Sequence, residues 1–376
     1  MEDQILVYLK KHQNAFLEML RQCVELESPS GEDKRASDRC GDFLEDAFRG
    51  LGFKAQRIAR ESCGNHVTGE IGAGEKSVLI VGHYDTVYPI GTIKKMPFKI
   101  ENGKAYGPGV LDMKGGLVMA YFALKALLDL NLMPEKIIGI FFNSDEESGS
   151  FQSSEAIVAK AREFENVLVA EPGVNSRNSV KTGRYGRGTC DVIVHGVAAH
   201  SGSNPHLAVS PVIEMAHQLL CVDEWNRETD AATFAPTFIS GGTAGTCMVP
   251  ETAYFTMDIR FRDDSEREKV QARINRMKAV TPGAKLEIRY NVDKPVMAAS
   301  PELFAKAVEI GRHYGLELEG VTVGGGSDGN FTSAAGIPTL DGLGATGEYL
   351  HNPREYIHIE HIPYRTALLA KMLSGL

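Results

Sequence analysis

The chain has 376 residues, of which 43% are hydrophobic and 24% are charged, and its formal net charge is -9. These proportions match soluble globular proteins, and the length favours two domains. The acidic balance argues against a nucleic-acid-binding protein, because such proteins need lysine and arginine to displace counterions from phosphates. No apolar run is long enough to cross a membrane.

The six cysteines are scattered along the chain and form neither a C-x-x-C pair nor a dense framework. This spacing predicts reduced thiols and a cytoplasmic location. The N-terminus mixes acids, lysines and apolar residues and lacks a small-residue cleavage site. It therefore predicts an amphipathic helix rather than a signal peptide.

Helices and short apolar runs alternate in the first half of the chain. Helices are predicted over about residues 3–27, 33–50, 113–131 and 150–164. Short strands are predicted at 77–81, 137–142 and 167–170. Strands that alternate with helices predict an α/β fold with a mostly parallel sheet.

The pattern changes at about Arg184, where longer alternating strands appear. Strands are predicted at 189–194, 254–261 and 285–290, with helices near 207–221 and 265–279. The α/β pattern resumes at about residue 296, with a strand near 337–340 and a final helix from Pro363. We therefore predict an α+β domain over 184–295, inserted into a catalytic domain made of 1–183 and 296–376.

A histidine and an aspartate stand at the end of the first apolar run. His83 follows residues 79–82, and Asp85 comes two positions later. Residues two apart on a strand share a face, and ligands of open parallel sheets bind at the carboxyl ends of strands. The pair is either part of a metal site or a structural His–Asp hydrogen bond.

Asp112 lies between two pairs of glycines, just before a predicted helix. One interpretation is a helix N-cap, which aspartate often forms. The dense glycines favour a backbone in unusual conformations and hence a functional site. A phosphate loop fails on spacing, since the G-x-G-x-x-G pattern is incomplete.

Acidic residues follow two further apolar runs. Asp145, Glu146 and Glu147 come after one of them, and Glu171 after another. Solvated acidic turns are common, but acids grouped at strand ends repel each other unless a cation is present. Carboxylates at two strand ends therefore favour a metal site.

His351 is the downstream candidate for a ligand, because it lies in a predicted loop. His358 and His361 remain alternatives, although both stand in an apolar pattern that leads into a helix. With the upstream residues, the set offers two imidazoles and three carboxylates. Such ligands suit a pair of zinc, manganese or cobalt ions bridged by a carboxylate.

The ordered motifs resemble the co-catalytic zinc metallopeptidase family that includes glutamate carboxypeptidase, aminoacylase, acetylornithine deacetylase and succinyl-diaminopimelate desuccinylase. The pattern is most similar to the glutamate carboxypeptidase branch. The motifs are H-x-D-T-V at 83–87, G-x-G-x-x-D-M-K-G-G at 107–116, D-E-E at 145–147, E-P at 171–172, A-H-S-G at 199–202, G-G-G-S-D at 324–328, and His351.

The resemblance implies two divalent metal ions per chain, most simply zinc. It implies that Asp112 bridges both ions, that His83 and Glu171 complete one site, and that Glu147 and His351 complete the other. It also implies a cis peptide bond after Asp112.

The resemblance further implies roles for residues around the metals. Asp85 would orient His83, and Glu146 would be the general base. His200, Arg260 and Gly326 would contact the substrate, with His200 acting at the oxyanion and possibly across a homodimer. The inserted domain would serve as a lid and as the dimer contact.

One position departs from the family pattern. Cys247 stands where family members usually carry an asparagine, three residues before Pro250. Cysteine offers no amide donor, so the resemblance implies that either the polarisation of the scissile carbonyl or the binding of the substrate is altered. Arg184, Arg187 and Lys294 lie near the domain boundaries and are candidates to compensate, although the pattern favours a solvated surface role for any single one of them.

These observations predict a metal-dependent hydrolase that cleaves an amide bond next to a free carboxylate, in a peptide or an N-acyl amino acid. Arg260 is expected to bind that carboxylate with two parallel hydrogen bonds from its planar guanidinium group. The alternative is an ion pair with Asp258 or Glu251. The alternatives for the whole protein are a dipeptidase, an N-acyl amino acid deacylase, or a non-catalytic binding protein on the same fold.

Overall fold

The computed structural model describes residues 3–174, 177–242 and 245–376. The chain forms two compact units. The first unit comprises 3–183 without the undescribed residues, 297–323 and 327–376, and the second unit comprises 184–296 and 324–326. In these ranges no helix has both the length and the apolar character needed to cross a membrane.

The described residues form ten α-helices: α1 Gln4–Lys11, α2 Gln13–Glu25, α3 Lys34–Gly50, α4 Gly115–Asp129, α5 Ser154–Ala161, α6 Pro211–Glu228, α7 Asp264–Asn275, α8 Pro301–His313, α9 Gly329–Ala334 and α10 Ile362–Gly375. The strands are β1 Gln56–Ile58, β2 His66–Ile71, β3 Lys76–His83, β4 Lys99–Glu101, β5 Lys104–Tyr106, β6 Ile137–Asn143, β7 Asn166–Val169, β8 Ser179–Arg184, β9 Gly186–His195, β10 Ala199–His200, β11 Ala232–Gly241, β12 Met248–Val249, β13 Thr252–Phe261, β14 Lys285–Lys294, β15 Glu319–Val323, β16 Thr339–Leu340, β17 Gly347–Glu348 and β18 Tyr356–His358.

The first unit is built on a six-stranded sheet with the order β1-β2-β6-β3-β7-β16. Strands β6, β3, β7 and β16 run parallel, while β1 and β2 form an antiparallel edge. The central strands are buried along almost their whole length, as expected for a sheet covered on both faces. The predicted α/β fold with a mostly parallel sheet is confirmed.

Parallel strands bring the ends of β3, β6 and β7 to the same edge of the sheet. These ends are His83, Asn143 and Val169, and each is followed by a turn that carries acidic residues. The order of strands therefore gathers side chains that are far apart in sequence.

The first turn of α4 lies very close to the segment that follows β7. A Cβ atom on Gly116 would lie 1.8 Å from the Ala170 carbonyl oxygen, and one on Gly344 would lie 2.1 Å from the same atom. Only glycine permits these approaches. They hold the beginning of α4 beside Glu171.

The second unit contains an antiparallel sheet with the order β11-β13-β9-β14. Helices α6 and α7 pack on this sheet, and their apolar side chains, including Trp225 and Val270, join Phe234, Phe255 and Ile259 in its core. The second unit thus has a core of its own.

The structure differs from the predictions at two helices and at one long strand of the second unit. The helix predicted over 3–27 is broken at His12, whose Nδ1 donates to the Tyr8 carbonyl and ends α1. The helix predicted from 150 begins at Ser154, because Ser150 has a φ of 59° and belongs to a turn. Strand β11 was not predicted, since Pro236 interrupts its apolar pattern.

Candidate metal centre

Five of the predicted ligands meet at the edge of the first unit's sheet. His83 is the last residue of β3, Glu147 lies in the turn after β6, and Glu171 lies two residues beyond β7. Asp112 lies in the irregular turn that leads into α4, and His351 follows β17 with a φ of 58°. The peptide bond after Asp112 is cis, as predicted.

The Asp112 carboxylate lies between two histidine–carboxylate pairs. Its Oδ1 is 3.2 Å from His83 Nε2, which is also 3.3 Å from Glu171 Oε1. Its Oδ2 is 3.3 Å from His351 Nε2, which is also 3.3 Å from Glu147 Oε2. Asp112 thus presents one oxygen to each of two similar ligand sets.

The centre is rich in negative charge and mostly buried. His83 is 1% exposed and the three carboxylates are 7–12% exposed, whereas His351 is 50% exposed. Burial raises the pKa of Glu147 to about 8. Hydrogen bonds with Asp112 and Glu147 raise the pKa of His351 to about 10. The cluster therefore favours added positive charge, either as protons or as metal ions.

One buried atom of the centre supports a cation in particular. Glu147 Oε1 is buried and has no hydrogen-bond partner among the described residues. His83, Asp112 and Glu147 each offer a ligand atom, and these atoms lie within 4.8 Å of one another. Imidazole and carboxylate ligands at this spacing fit a divalent metal.

Asp85 connects His83 with the acidic turn. Its Oδ1 lies 3.4 Å from His83 Nδ1 and accepts the backbone N–H of Glu146 at 3.2 Å. Its Oδ2 accepts the backbone N–H of Glu147 at 3.0 Å. His83 Nδ1 donates to the backbone carbonyl of Asp85 at 3.0 Å, while the fully buried Asp85 carboxylate fixes the backbone of both glutamates.

Comparison with known proteins gives the family. The profile of peptidase family M20/M25/M40 matches residues 79–375. Carboxypeptidase G2 of Pseudomonas sp. (strain RS-16) is 30% identical over 379 residues, which cover 97% of this chain and 90% of that protein. The chain belongs to peptidase family M20/M25/M40. It is accordingly a metallo-hydrolase that acts on peptide or amide bonds.

Solved structures share the fold. An M20 family metallo-carboxypeptidase from Sulfolobus solfataricus has a TM-score of 0.70 at 20% identity, covering 100% of this chain and 99% of that chain. A dinuclear metal-binding peptidase of the M20 family from Bacillus subtilis has a TM-score of 0.71 at 13% identity, covering 97% and 98%.

Glu355 supports the centre of this M20 peptidase and was missed in the sequence. Its buried carboxylate accepts the backbone N–H groups of Gly109, Leu111 and Asp112 at 3.2, 2.7 and 3.1 Å, and the hydroxyl of Tyr88 at 2.6 Å. It therefore holds the turn that presents Asp112. The available signal was an acid four residues after His351, directly before an apolar run.

Two buried lysines were also missed. Lys181 Nζ lies 3.4 Å from Glu171 Oε2, with both side chains 7% exposed. Lys114 donates to the carbonyls of Cys23 and Leu26, which ties the turn after Asp112 to α2. Lys181 therefore places a positive charge beside one buried acid, and Lys114 anchors the turn that follows Asp112.

The structure separates the three candidate histidines. His351 Nε2 contacts Asp112 and Glu147. The Nδ1 atom of His361 instead hydrogen-bonds Thr346 Oγ1 at 2.8 Å, and the rings of His358 and His361 lie against each other.

The remaining predicted residues lie in the second unit. His200 is exposed in β10, and its Nδ1 accepts the backbone N–H groups of Gly202 and Ser203, each at 3.1 Å. Because these groups can only donate, the proton of a neutral His200 ring is on Nε2. Gly326 belongs to a glycine run whose carbonyls at 325 and 326 accept from Arg184.

Arg260 forms the ion pair with Asp258 that the sequence left open as the alternative to substrate binding. Its Nε and Nη2 donate to the two oxygens of Asp258 at 2.7 and 3.1 Å, and its Nη1 donates to the Gly324 carbonyl at 3.0 Å. Arg187, opposite Arg260 on β9, donates to the same carboxylate at 2.8 Å. Two arginines thus share one acid, because alternate residues of β13 lie on one face with their neighbours on β9.

We predict that Glu355→Gln loosens the turn around Asp112. The amide would place an NH2 group against N–H or O–H donors, and an unpaired buried donor costs about 1–3 kcal/mol. Hydrogen–deuterium exchange should be faster in the 109–112 segment, and kcat should fall. Glu360→Gln, at a carboxylate that is 82% exposed, is the control. Unchanged exchange at 109–112 would contradict this role.

Proposed function

We propose that this M20 peptidase is a two-metal hydrolase that removes a residue with a free carboxylate from a peptide or an N-acyl amino acid. The observation that carries the proposal is the position of Asp112 between two histidine–carboxylate pairs. His83 and Glu171 would hold one ion, Glu147 and His351 the other, and Asp112 both. The mixed ligands favour zinc, with manganese or cobalt as alternatives.

Bound divalent ions supply Lewis acidity, which polarises the scissile carbonyl and lowers the pKa of water. In our proposal Glu146 accepts a proton from the attacking water and returns it to the leaving amine. Its position supports this role, because Asp85 holds the backbone of both Glu146 and Glu147 while the side chain of Glu146 is 9% exposed.

His200 is assigned to the oxyanion of the tetrahedral intermediate, within one chain or across a dimer. The hydrogen bonds to its Nδ1 support this assignment, since they leave Nε2–H as a donor. Such a donor stabilises negative charge that develops in the transition state. The second unit, which carries His200, would then act as the lid that excludes water.

The carboxylate of the substrate is assigned to Arg260, with Arg187 beside it. The shared Asp258 neutralises one of the two positive charges, which leaves a net charge of about +1 on this face. The two side chains are 28% and 38% exposed, so their remaining N–H groups can reach a ligand. A guanidinium fork suits a carboxylate, and Gly326 would line the same substrate site.

Two related activities remain alternatives, namely a dipeptidase and an N-acyl amino acid deacylase. Both require a free carboxylate, so Arg260 does not separate them. The name of the Pseudomonas relative, carboxypeptidase G2, favours carboxypeptidase chemistry.

We also propose a cytoplasmic location, because all six cysteines are free thiols in the structure.

A homodimer through the second unit is part of the proposal. Strand β11 is an edge strand and exposes Phe238 and Ile239 at 51% and 60%. Helix α6, which contacts β11, exposes Ile213 and Leu220 at 55% and 64%. An apolar edge strand beside an apolar helix face favours pairing with a second copy.

We expect the adjacent glutamates to separate proton transfer from metal binding. Glu146→Gln should keep two metal ions per chain while kcat falls by about 10²–10⁴-fold, the usual contribution of a positioned base. Glu147→Gln should lose one ion, because it removes a ligand. Elemental analysis and kcat on the same preparations test this division, and identical behaviour of the two variants would refute it.

Carboxylate recognition is tested with an N-acyl amino acid and its α-carboxamide. The amide should cost about 1.5–3 kcal/mol in kcat/KM, since a charged hydrogen-bond partner is lost. Arg260→Ala should remove most of this difference, and Arg289→Ala on β14, where Arg289 pairs with Glu287, should not. Equal hydrolysis of both substrates by the unchanged enzyme would indicate a broader amidase.

The dimer contact is tested by charge on the apolar face. Ile239→Asp and Leu220→Asp should shift the protein from dimer to monomer in sedimentation velocity at micromolar concentration, because each places a carboxylate in an apolar contact. Val292→Asp on β14, the opposite edge of the sheet, is the control. An unchanged chain that sediments as a monomer would exclude this contact.

A further inference from the structure

A second group of metal-binding side chains lies in the first unit, outside the centre described above. Cys63 lies in the turn before β2, His66 is the first residue of β2, and Asp145 follows β6. The Cys63 sulfur, a His66 ring nitrogen and an Asp145 carboxylate oxygen lie within 4.8 Å of one another. All three side chains are at most 3% exposed.

Two atoms of this cluster are buried without a partner. His66 Nδ1 and Asp145 Oδ1 have no hydrogen-bond partner among the described residues. Buried polar atoms rarely lack a hydrogen-bond partner, because each unpaired atom lowers the stability of the fold. A cation placed between them would satisfy a nitrogen lone pair and a carboxylate oxygen together.

The hydrogen bonds around His66 and Asp145 orient both side chains as they would be oriented in a metal site. The backbone carbonyl of Gln152 accepts from His66 Nε2 at 3.4 Å, so the ring proton is on Nε2 and the lone pair is on Nδ1. The backbone N–H of Gln152 donates to Asp145 Oδ2 at 2.7 Å, which leaves Oδ1 for another contact. Histidines that bind metals characteristically donate their second N–H to such a carbonyl.

The chemistry of the three ligands selects the ion. Burial lowers the pKa of His66, which favours a neutral imidazole with a lone pair for a metal, and burial raises the pKa of the Cys63 thiol, so the metal ion has to displace its proton. A thiolate with an imidazole and a carboxylate favours zinc or a similar transition metal over calcium or magnesium, which prefer oxygen. The charges also balance, because Cys63 as thiolate and Asp145 as carboxylate carry two negative charges.

We propose that Cys63, His66 and Asp145 bind a third divalent ion, of the zinc class, with one small ligand such as water completing a tetrahedron. Binding releases the Cys63 proton and forms a metal–sulfur bond. Zinc lies about 2.0–2.3 Å from such ligands, so the side chains must move closer together by small rotations. The ion would link the turn before β2 to the turn that carries Glu146, and its role would be structural.

The test is a titration of the metal-free, reduced, full-length protein with Co²⁺, followed by absorption. A thiolate ligand gives an intense near-ultraviolet charge-transfer band, which the histidine and carboxylate ligands of the Asp112 centre cannot give. We expect this band and three Co²⁺ ions per chain. Cys63→Ser should abolish the band and reduce the count to two, while Cys221→Ser, at a partly buried cysteine, should change neither.

A variant of the Asp112 centre tests this proposal independently of the proposed function. Glu147→Gln should lose activity but keep the charge-transfer band, because it lies outside the thiolate site. X-ray absorption at the zinc edge of the unchanged protein provides a second measurement, with a sulfur neighbour expected at about 2.3 Å. Two ions per chain with neither the band nor a sulfur neighbour, or a band that persists in Cys63→Ser, would overturn the proposal.

Discussion

Three carboxylates crowd together at one edge of the main sheet, and their mutual repulsion has to be offset for the chain to fold. Asp112, Glu147 and Glu171 lie around two histidines at the edge of the sheet and are largely removed from water. Such a group is costly unless positive charge is added. Protons would supply this charge only at the expense of the hydrolytic chemistry, whereas the two divalent ions that we propose would supply it and also take part in the reaction. The same electrostatic repulsion would thus give the proposed site its affinity for metal.

Most of the surrounding structure holds these acids in place against their repulsion. Asp85 binds the backbone of the acidic turn, Glu355 binds the backbone before Asp112, and Lys181 lies beside Glu171. The first two contacts fix the backbone of turns, since the strands can bring turns together but cannot fix their conformation, and the third places a positive charge beside the Glu171 side chain. Residue 116 must be glycine, since only the absence of a side chain lets α4 begin against the Ala170 carbonyl.

The acidic turn after β6 is held by hydrogen bonds from several directions. Asp85 accepts from its backbone at two positions, and Gln152 donates to Asp145. If the Cys63 cluster binds an ion, the turn is held from both sides, by the proposed catalytic ions through Glu147 and by the structural ion through Asp145. Stability and catalysis would then share one short segment.

The sequence predicted the α/β class and most of the candidate acids and histidines, because apolar runs that end in polar residues reveal strand ends locally, and its ordered motifs indicated the family. It also left His351, His358 and His361 as alternatives and overlooked Glu355, since a buried carboxylate that binds only backbone N–H groups has no sequence motif. The partner of Arg260 was likewise undecided until strand pairing put Asp258 and Arg187 beside it. These points become visible only in the folded chain, because contacts between distant segments depend on strand order and register rather than on local pattern.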